Sequence, residues 1–428
     1  MHNRNAVRYF LAIAALLLFL FISNDFGLLD TQKTAIVMAV GIDREEDEFI
    51  VTSQIALPTP SDQKGGTKSV QTVSRGKTVA AAFEEINDKT GWYPKLVFCN
   101  LILIGKDAAN ENVFDALDFF LRNEYFAEDC LLAVCDSTAK EALNVTTPID
   151  SASSVAAQKV LSAHAKQVGA SMPNTLREFA KTYFGDSKSG FLPILKTEKP
   201  QEPVQGESNG GNSDSGNTGG QNTSGNQGAG TSGSSGSSSN SSATGSSSPQ
   251  NSGGEAANKE QLFSAKETAT FLNGRQTGKL SQEETFAFSA MKSKLKLATY
   301  SVESGGETYT LSIKHNAPKI KLRIDENGVP KAELSVTLTA GVLDFSKSET
   351  KNTVKDTTHV PKRVLSDAEI SLKAQIEQTF QTAKETNCDL FGLTELLKKY
   401  ENKYFEAYKN DLLARAQPVV KVTFKSVR

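Results

Sequence analysis

Two strings in the chain are spelled like the loops that hold phosphates or present nucleophiles. Gly228-Ala229-Gly230-Thr231-Ser232-Gly233 is a G-x-G-x-x-G, and Gly206-Glu207-Ser208-Asn209-Gly210 is a G-x-S-x-G. Both chemistries need the string on a turn between a strand and a helix. These two lie in a tract of Gly, Ser, Asn, Gln and Thr, where composition alone generates them. No G-x-x-x-x-G-K-[ST] and no H-E-x-x-H occurs. Asp43, Glu45, Glu46, Asp47 and Glu48 crowd one turn, and grouped carboxylates can serve acid–base chemistry or calcium. The spacing is not that of a calcium loop, and a charge run at a hairpin tip is expected to be solvated. Glu84-Glu85 has the same bland reading on the wet face of a helix. The four histidines are far apart and the four cysteines form no C-x-x-C, so no zinc or haem signature is present. Cys99, Cys130 and Cys135 adjoin apolar runs, which suits small buried hydrophobes; a disulfide stays open for them and for Cys388. Arg122 closes Phe119-Phe120-Leu121-Arg122-Asn123 and has two readings. It complements a helix C-terminal dipole, or it touches a partner, which makes it the one candidate contact residue. No catalytic, cofactor-binding or metal-ligating residue is expected.

The elements that would position such residues begin with an anchor. His2, Arg4 and Arg8 precede Tyr9–Ile22, YFLAIAALLLFLFI. As a helix this run is roughly 21 Å long at 1.5 Å per residue, short for a span and suited to a signal segment. No small-residue cleavage pattern follows, and no cysteine precedes Cys99 to take a lipid. An uncleaved signal-anchor is expected, with Arg4 and Arg8 holding the N-terminus in the cytoplasm and the rest outside. Phe26, Leu28 and Leu29 could extend the membrane contact. That exported setting makes a disulfide chemically permissible. With 47 basic and 49 acidic residues the net charge is −2, so no global field attracts nucleic acid.

The remaining sequence predicts an α+β, mixed α/β fold with several domains, in which mixed sheets are flanked by helices. Thr34–Ile42 and Phe49–Leu57 form a hairpin, and Val70–Val73 a short strand. Thr78–Asn87 is a helix capped by Thr78 with Val79, Ala82, Phe83 and Ile86 inward. Leu96–Ile104, LVFCNLILI, reads as a buried strand, and Cys130–Cys135 as another. Val113–Leu121, Thr138–Leu143, Ser151–Gln167 and Thr175–Tyr183 are helical, and Phe191–Lys196 is extended. Residues 1–29 are thus the cytoplasmic N-terminus and anchor, and 30–200 an N-terminal α/β domain with a candidate helical subdomain at 150–190. Residues 201–258 carry no aromatic side chain and cannot offset their ordering entropy, so a disordered linker is expected. Residues 259–428 form a C-terminal α+β domain. In it Asn273-Gly274 is a turn, and Ser281 with Glu284 is a capping box for a helix to Met291. Leu295–Val302, Tyr309–Leu322 and Ala332–Leu343 are strands. Ser366–Thr386 is a long helix with a second capping box, Ser366 and Glu369, and an apolar face of Ile370, Ile376, Phe380 and Ala383. Two helical stretches and a strand, Val419–Val427, end the chain.

The order and wording of these segments resemble the Ger(x)C family, the C subunits of spore germinant receptors. The similar blocks are Ala35-Ile36-Val37-Met38-Ala39-Val40-Gly41-Ile42-Asp43, Gly76-Lys77-Thr78-Val79-Ala80-Ala81-Ala82, Ile104-Gly105-Lys106-Asp107-Ala108 and Leu117-Asp118-Phe119-Phe120-Leu121-Arg122. In the second half Phe271, Gly278-Lys279-Leu280-Ser281-Gln282-Glu283-Glu284-Thr285 and Asp389-Leu390-Phe391-Gly392 follow. The resemblance implies a non-enzymatic subunit without cofactors, on the outer face of the spore inner membrane. It would act beside two integral membrane partners, the A and B subunits, with no nucleic acid and no small-molecule substrate of its own. Family members normally carry an acylated cysteine, which this chain lacks, and the polar tract is unusually long for them. The alternative is an exported cell-envelope solute-binding protein or hydrolase.

Overall fold

The computed structural model describes residues 2–23, 34–57, 68–150, 152–199, 260–346 and 359–427. The polar tract at 201–258, with its two motif-like strings, and Phe26, Leu28 and Leu29 lie outside the described residues.

The first sheet is built from β1 (Thr34–Glu45), β2 (Glu48–Ala56), β3 (Ser69–Gly76), β4 (Tyr93–Lys95), β5 (Leu101–Ile104), β6 (Leu131–Cys135), β7 (Asn174–Thr175), β8 (Ser189–Glu198), β9 (Leu262–Leu272) and β10 (Arg275–Leu280). Its order is β10-β9-β8-β6-β5-β1-β2-β3, with β4 beside β1 and β7 beside β6. Four central strands, β8, β6, β5 and β1, run parallel, and antiparallel hairpins flank them. Parallel strands are joined by crossovers that cover both faces of a sheet, so their strands read as unbroken apolar runs. Leu-Ile-Leu-Ile in β5 is such a run, with all four residues buried. Alternation then splits it. Ile102 and Ile104, with Leu132 and Val134, face Phe83, Leu117, Phe120 and Phe179. Leu101 and Leu103, with Ala133 and Cys135, face Ala139, Leu143, Ala157 and Leu161.

β9 and β10 come from beyond the polar tract, yet β9 pairs onto β8 and β10 onto β9. The second half therefore contributes the last two strands of the first sheet before it begins its own. Asn273 and Gly274 both have positive φ, 51° and 77°, in the two-residue turn that joins them, the backbone a tight hairpin demands. Residues 2–199 and 260–427 fall within one compact unit.

The second sheet is β11 (Ala298–Ser304), β12 (Glu307–Ile324), β13 (Pro330–Ser346) and β14 (Gln417–Ser426), in that order. β13 and β14 are parallel and the other pairs antiparallel. Burial alternates along β11 and β13, which leaves one face wet. The covered face packs on the helices Gln282–Lys292 and Lys362–Glu385.

Several expectations about segments are corrected. Leu96–Ile104 is not one strand: only Leu101–Ile104 is extended, and Val97 and Phe98 stand exposed in the turn before it. Ser151–Gln167 is broken at Leu161 and Ser162 into two short helices. The long helix starts at Lys362, so Ser366 lies inside it, and Glu369 instead accepts the Phe424 amide at 2.8 Å. Its buried stripe is Val364, Ala368, Leu372, Ile376, Phe380 and Ala383, whereas Ile370 is 66% exposed. Six residues separate Ile370 from Ile376, which at 3.6 residues per turn puts them on different faces. The capping box of Ser281 and Glu284 and the Thr78 cap are present.

The helix His2–Ser23 carries the N-terminal apolar run, and its described side chains, Val7 to Phe19, are all exposed. Among the described residues no helix is long and apolar enough to cross a membrane.

Candidate functional site

Open α/β sheets bind ligands in the crevice outside the carboxyl ends of their parallel strands. In this chain that position is Asp43 of β1, just past the last parallel pair with β5, with β5 ending before Gly105 and β6 ending before the helix Ala139–Leu143. Thr138 caps that helix, its hydroxyl accepting the Glu141 amide at 3.1 Å. The Asp43 carboxylate crosses from the neighbouring strand end to accept two more amides of the same helix start. Oδ1 takes Ala139 N–H at 2.7 Å and Oδ2 takes Lys140 N–H at 2.9 Å. The first turn of a helix offers unpaired donors and a positive dipole end, which a carboxylate satisfies. Asp43 is 7% exposed. Burial raises its carboxyl above the ordinary 3.8; the two amides act against that rise, and Glu141 and Asp107 add to it.

Two glycines make the approach possible. A Cβ on Gly105 would lie 1.9 Å from Asp43 Oδ1, and one on Gly41 would lie 3.0 Å from Ala139 Cβ. The Gly-Ile-Asp and Ile-Gly-x-x-Ala blocks of the sequence therefore meet each other and close the crevice with the protein's own carboxylate. The expectation that the turn from Asp43 to Glu48 is solvated holds for Glu45, which pairs with Arg75 at 2.9 Å, and fails for Asp43. Glu85 sits half-buried on its helix, paired with Lys89 at 2.7 Å, and Glu84 is exposed. Lys89 and the Arg75 amide hold its carboxyl below the usual value.

The Asp389-Leu390-Phe391-Gly392 block is a second joint. The Asp389 carboxylate accepts the Leu393 and Thr394 amides at 2.8 and 2.7 Å, and its own amide donates to Ser189 Oγ at 2.9 Å. Cys388 donates its thiol to the Gly190 and Phe271 carbonyls, both at 3.3 Å. Phe391 packs on Phe288 and Phe380. A Cβ on Gly278 would lie 2.5 Å from Thr386 Cγ2, and Glu284 of the capping box accepts from Thr382. The second half is thus tied to β8 and β9 through these blocks.

Beside this joint a pocket of about 130 Å³ holds Lys292, Asp389, Glu395 and Cys388. Burial holds the Lys292 ammonium below the ordinary lysine range, with Asp389 and Glu395 acting against it. The residue itself stays exposed on the helix Gln282–Lys292, so this shift alone does not make it a catalytic base. The thiol in the same pocket is inert: burial pushes Cys388 up to about 12, so it stays protonated at neutral pH. All four cysteines are free and buried, as the apolar settings of Cys99, Cys130 and Cys135 suggested for those three. No group of three or more His, Cys, Asp or Glu side chains is placed to hold a metal ion among the described residues.

Arg122 sits in the last turn of the helix Phe114–Arg122, its side chain 78% exposed. Its Nε bonds Asp118 Oδ2 at 2.6 Å, one turn back. It borders a shallow depression with Glu124, Glu128, Asp129 and Arg177, where Arg177 pairs with Glu128 at 2.9 Å. The helix leaves the end of β5 and returns the chain to the start of β6, so Arg122 lies at the opposite end of the sheet from Asp43.

No curated protein matches the chain. Among solved structures it is similar to the crystal structure of the GerBC protein, at 15% identity and a TM-score of 0.49, over 91% of this chain and 97% of that one. Residues 29–197 match the family model of the spore germination protein N-terminal domain. Residues 266–426 match that of the spore germination B3/GerAC-like C-terminal domain. With both models matched in order over its two folded segments, the chain belongs to the GerAC-like, Ger(x)C family of spore germination proteins.

Proposed function

We propose that this chain is a non-enzymatic subunit of a spore germinant receptor complex, required for nutrient-triggered germination at the inner spore membrane. The observation that carries the reading is the paired family match, N-terminal model then C-terminal model, on either side of the polar tract. The geometry supports it. The crevice where this kind of sheet would take a small molecule is filled by Asp43, and the blocks that resemble the family are spent on joints between elements. Its partners are the integral membrane A and B subunits, which sense and transport. The chain holds its place beside them through the helix His2–Ser23, whose exposed apolar side chains need a cover other than water. A 22-residue helix is about 33 Å long, but its apolar run is about 9 Å shorter than a hydrocarbon core. Arg8 reaching to the interface and local thinning of the bilayer offset that mismatch. Arg122 is proposed as a contact with a partner, and residues 201–258 as a linker.

The test is a deletion strain. It should fail to germinate with one class of nutrient and respond normally to a stimulus that bypasses receptors. Normal germination with every nutrient, or hydrolysis of a cell-wall or peptide substrate by the purified protein, would overturn the reading.

A further inference from the structure

The chain enters the first sheet at Thr34, at the amino ends of the parallel strands, and that end is unusually apolar. Ile36, Val70, Trp92, Tyr93, Val97 and Phe98 are between 41% and 55% exposed. They are neighbours through the ladder. Thr34 pairs with Tyr93, and Ile36 with Lys95. Val37 pairs with Ile55, which pairs with Val70. Asn100, two residues after Phe98, donates its amide to the Met38 carbonyl. Thr34 and Trp92 both line a groove of about 510 Å³ in this face. Single exposed apolar residues are ordinary, but a cluster with three aromatics calls for a covering phase.

We infer that this end of the sheet, around Trp92, Tyr93, Val97 and Phe98, rests in the interfacial layer of the lipid bilayer. The inference rests on the anchoring proposed above. Only residues 24–33 separate the end of the apolar helix from Thr34. Fully extended, they span at most about 36 Å. The face they lead to therefore stays within that distance of the membrane-inserted helix, whichever way the protein turns. Tryptophan and tyrosine prefer the headgroup level, where an apolar ring is covered and its polar edge stays wet. The exposed Lys95 beside them suits the negative potential of anionic lipids. A protein partner would be expected to meet a face with satisfied polar contacts around its apolar centre; this cluster is instead open turn and strand ends.

Trp92 is the only tryptophan of the chain, so its fluorescence reports on this face alone. The full chain is reconstituted into phosphatidylglycerol–phosphatidylethanolamine vesicles with acyl chains brominated near the headgroup. Flotation reads the anchor, and Trp92 emission reads the face. The expected result is that the protein floats, and that Trp92 emission shifts to the blue and loses most of its intensity to the brominated lipid. Val97→Ser with Phe98→Ser, both on exposed side chains, should restore much of the emission while flotation is unchanged. Flotation with unquenched, acrylamide-accessible Trp92 overturns the inference and leaves the anchor standing. Quenching without stable flotation supports the face and overturns the anchor. Neither flotation nor quenching overturns both. A Trp92 that is already blue-shifted and closed to acrylamide without lipid assigns the face to the chain's own residues 24–33 or to a second copy, and overturns the inference.

Discussion

The two ends of the ten-stranded sheet are built on opposite principles. At the carboxyl ends of the parallel strands the packing is closed: Gly41 and Gly105 bring backbone against side chain, and Asp43 fills the space between β1 and the helix Ala139–Leu143. At the amino ends the packing is open, and Trp92, Tyr93 and Phe98 are left uncovered by the rest of the chain. The usual expectation for an α/β sheet puts ligands at the carboxyl end. Here that end has been converted into a structural joint, and the surface available for contact lies at the other. Substitutions at the closed end should therefore cost stability, and those at the open end should change contacts while leaving stability alone.

The largest loss of stability is expected for Gly105→Ala. The new methyl would meet Asp43 Oδ1 at 1.9 Å and can be housed only by moving a strand end or undoing the helix cap. Overpacking of this severity costs about 3 kcal/mol or more, a fall in Tm of at least about 4 °C for a unit of this size. Thermal unfolding of the purified protein measures it. An unchanged Tm would mean that the joint is loose and the carboxyl end is open to ligands after all.

Asp43→Asn is the next largest. The amide keeps one acceptor for a helix amide but turns an N–H donor toward the other, which leaves a buried donor unpaired at about 1–3 kcal/mol. The pH dependence of the same pair is a separate check. Burial raises the folded pKa of Asp43 above its ordinary 3.8. Over the interval between 3.8 and that raised value, the folded chain keeps a proton that the unfolded chain has lost. The stabilisation from this group is complete below 3.8 and is lost as pH rises through the folded value. The stability of the native chain relative to Asp43→Asn should therefore fall with rising pH across that interval. Denaturant unfolding of both proteins at a series of pH values gives the slope; a slope of the opposite sign would mean that the two amides outweigh burial.

The sequence disclosed the pieces of this joint and not their meeting. Gly-Ile-Asp and Ile-Gly-x-x-Ala were visible as blocks, and the Thr78 and Ser281 caps were legible because capping is a local interaction over three residues. Asp43 and Ala139 are 96 positions apart, and nothing in a charged turn distinguishes the carboxylate that will be buried from its solvated neighbours. Nor could Lys292 be singled out, since the pocket it lines is built from elements on both sides of the polar tract. The open end was hidden for a different reason. Leu96–Ile104 is apolar almost throughout, and an unbroken apolar run carries no period to say where the strand begins. The part that proves to be a turn, with Val97 and Phe98 outward, has the same composition as the part that is core. Similarly, the pairing of β9 onto β8 depends on contacts across a tract whose length says nothing about where its ends meet.

The smallest stability effect is expected at Arg122, and it bears on the open end of the comparison. Arg122 closes the helix Phe114–Arg122, which carries the chain from the carboxyl end of β5 back to the amino end of β6. It is therefore on the same side of the sheet as the exposed aromatics. Its bond to Asp118 is a solvent-exposed pair one helical turn apart, a type worth about 0.3–0.5 kcal/mol. Its favourable placement at a helix C-terminus adds a similar amount. Arg122→Ala should thus leave the Tm within about 2 °C and the protein level in spores unchanged. If the side chain touches a partner, the nutrient response falls while stability holds. Arg122→Lys then separates charge from shape: it keeps the cation near Asp118 and the helix dipole but loses the planar fork that grips a carboxylate in two bonds. A response restored by lysine assigns Arg122 to a diffuse electrostatic role, and a response lost in both variants at normal protein level assigns it a directed contact. A fall in protein level in the alanine variant would make the residue structural, and the open end would then owe its contacts to the aromatic cluster alone.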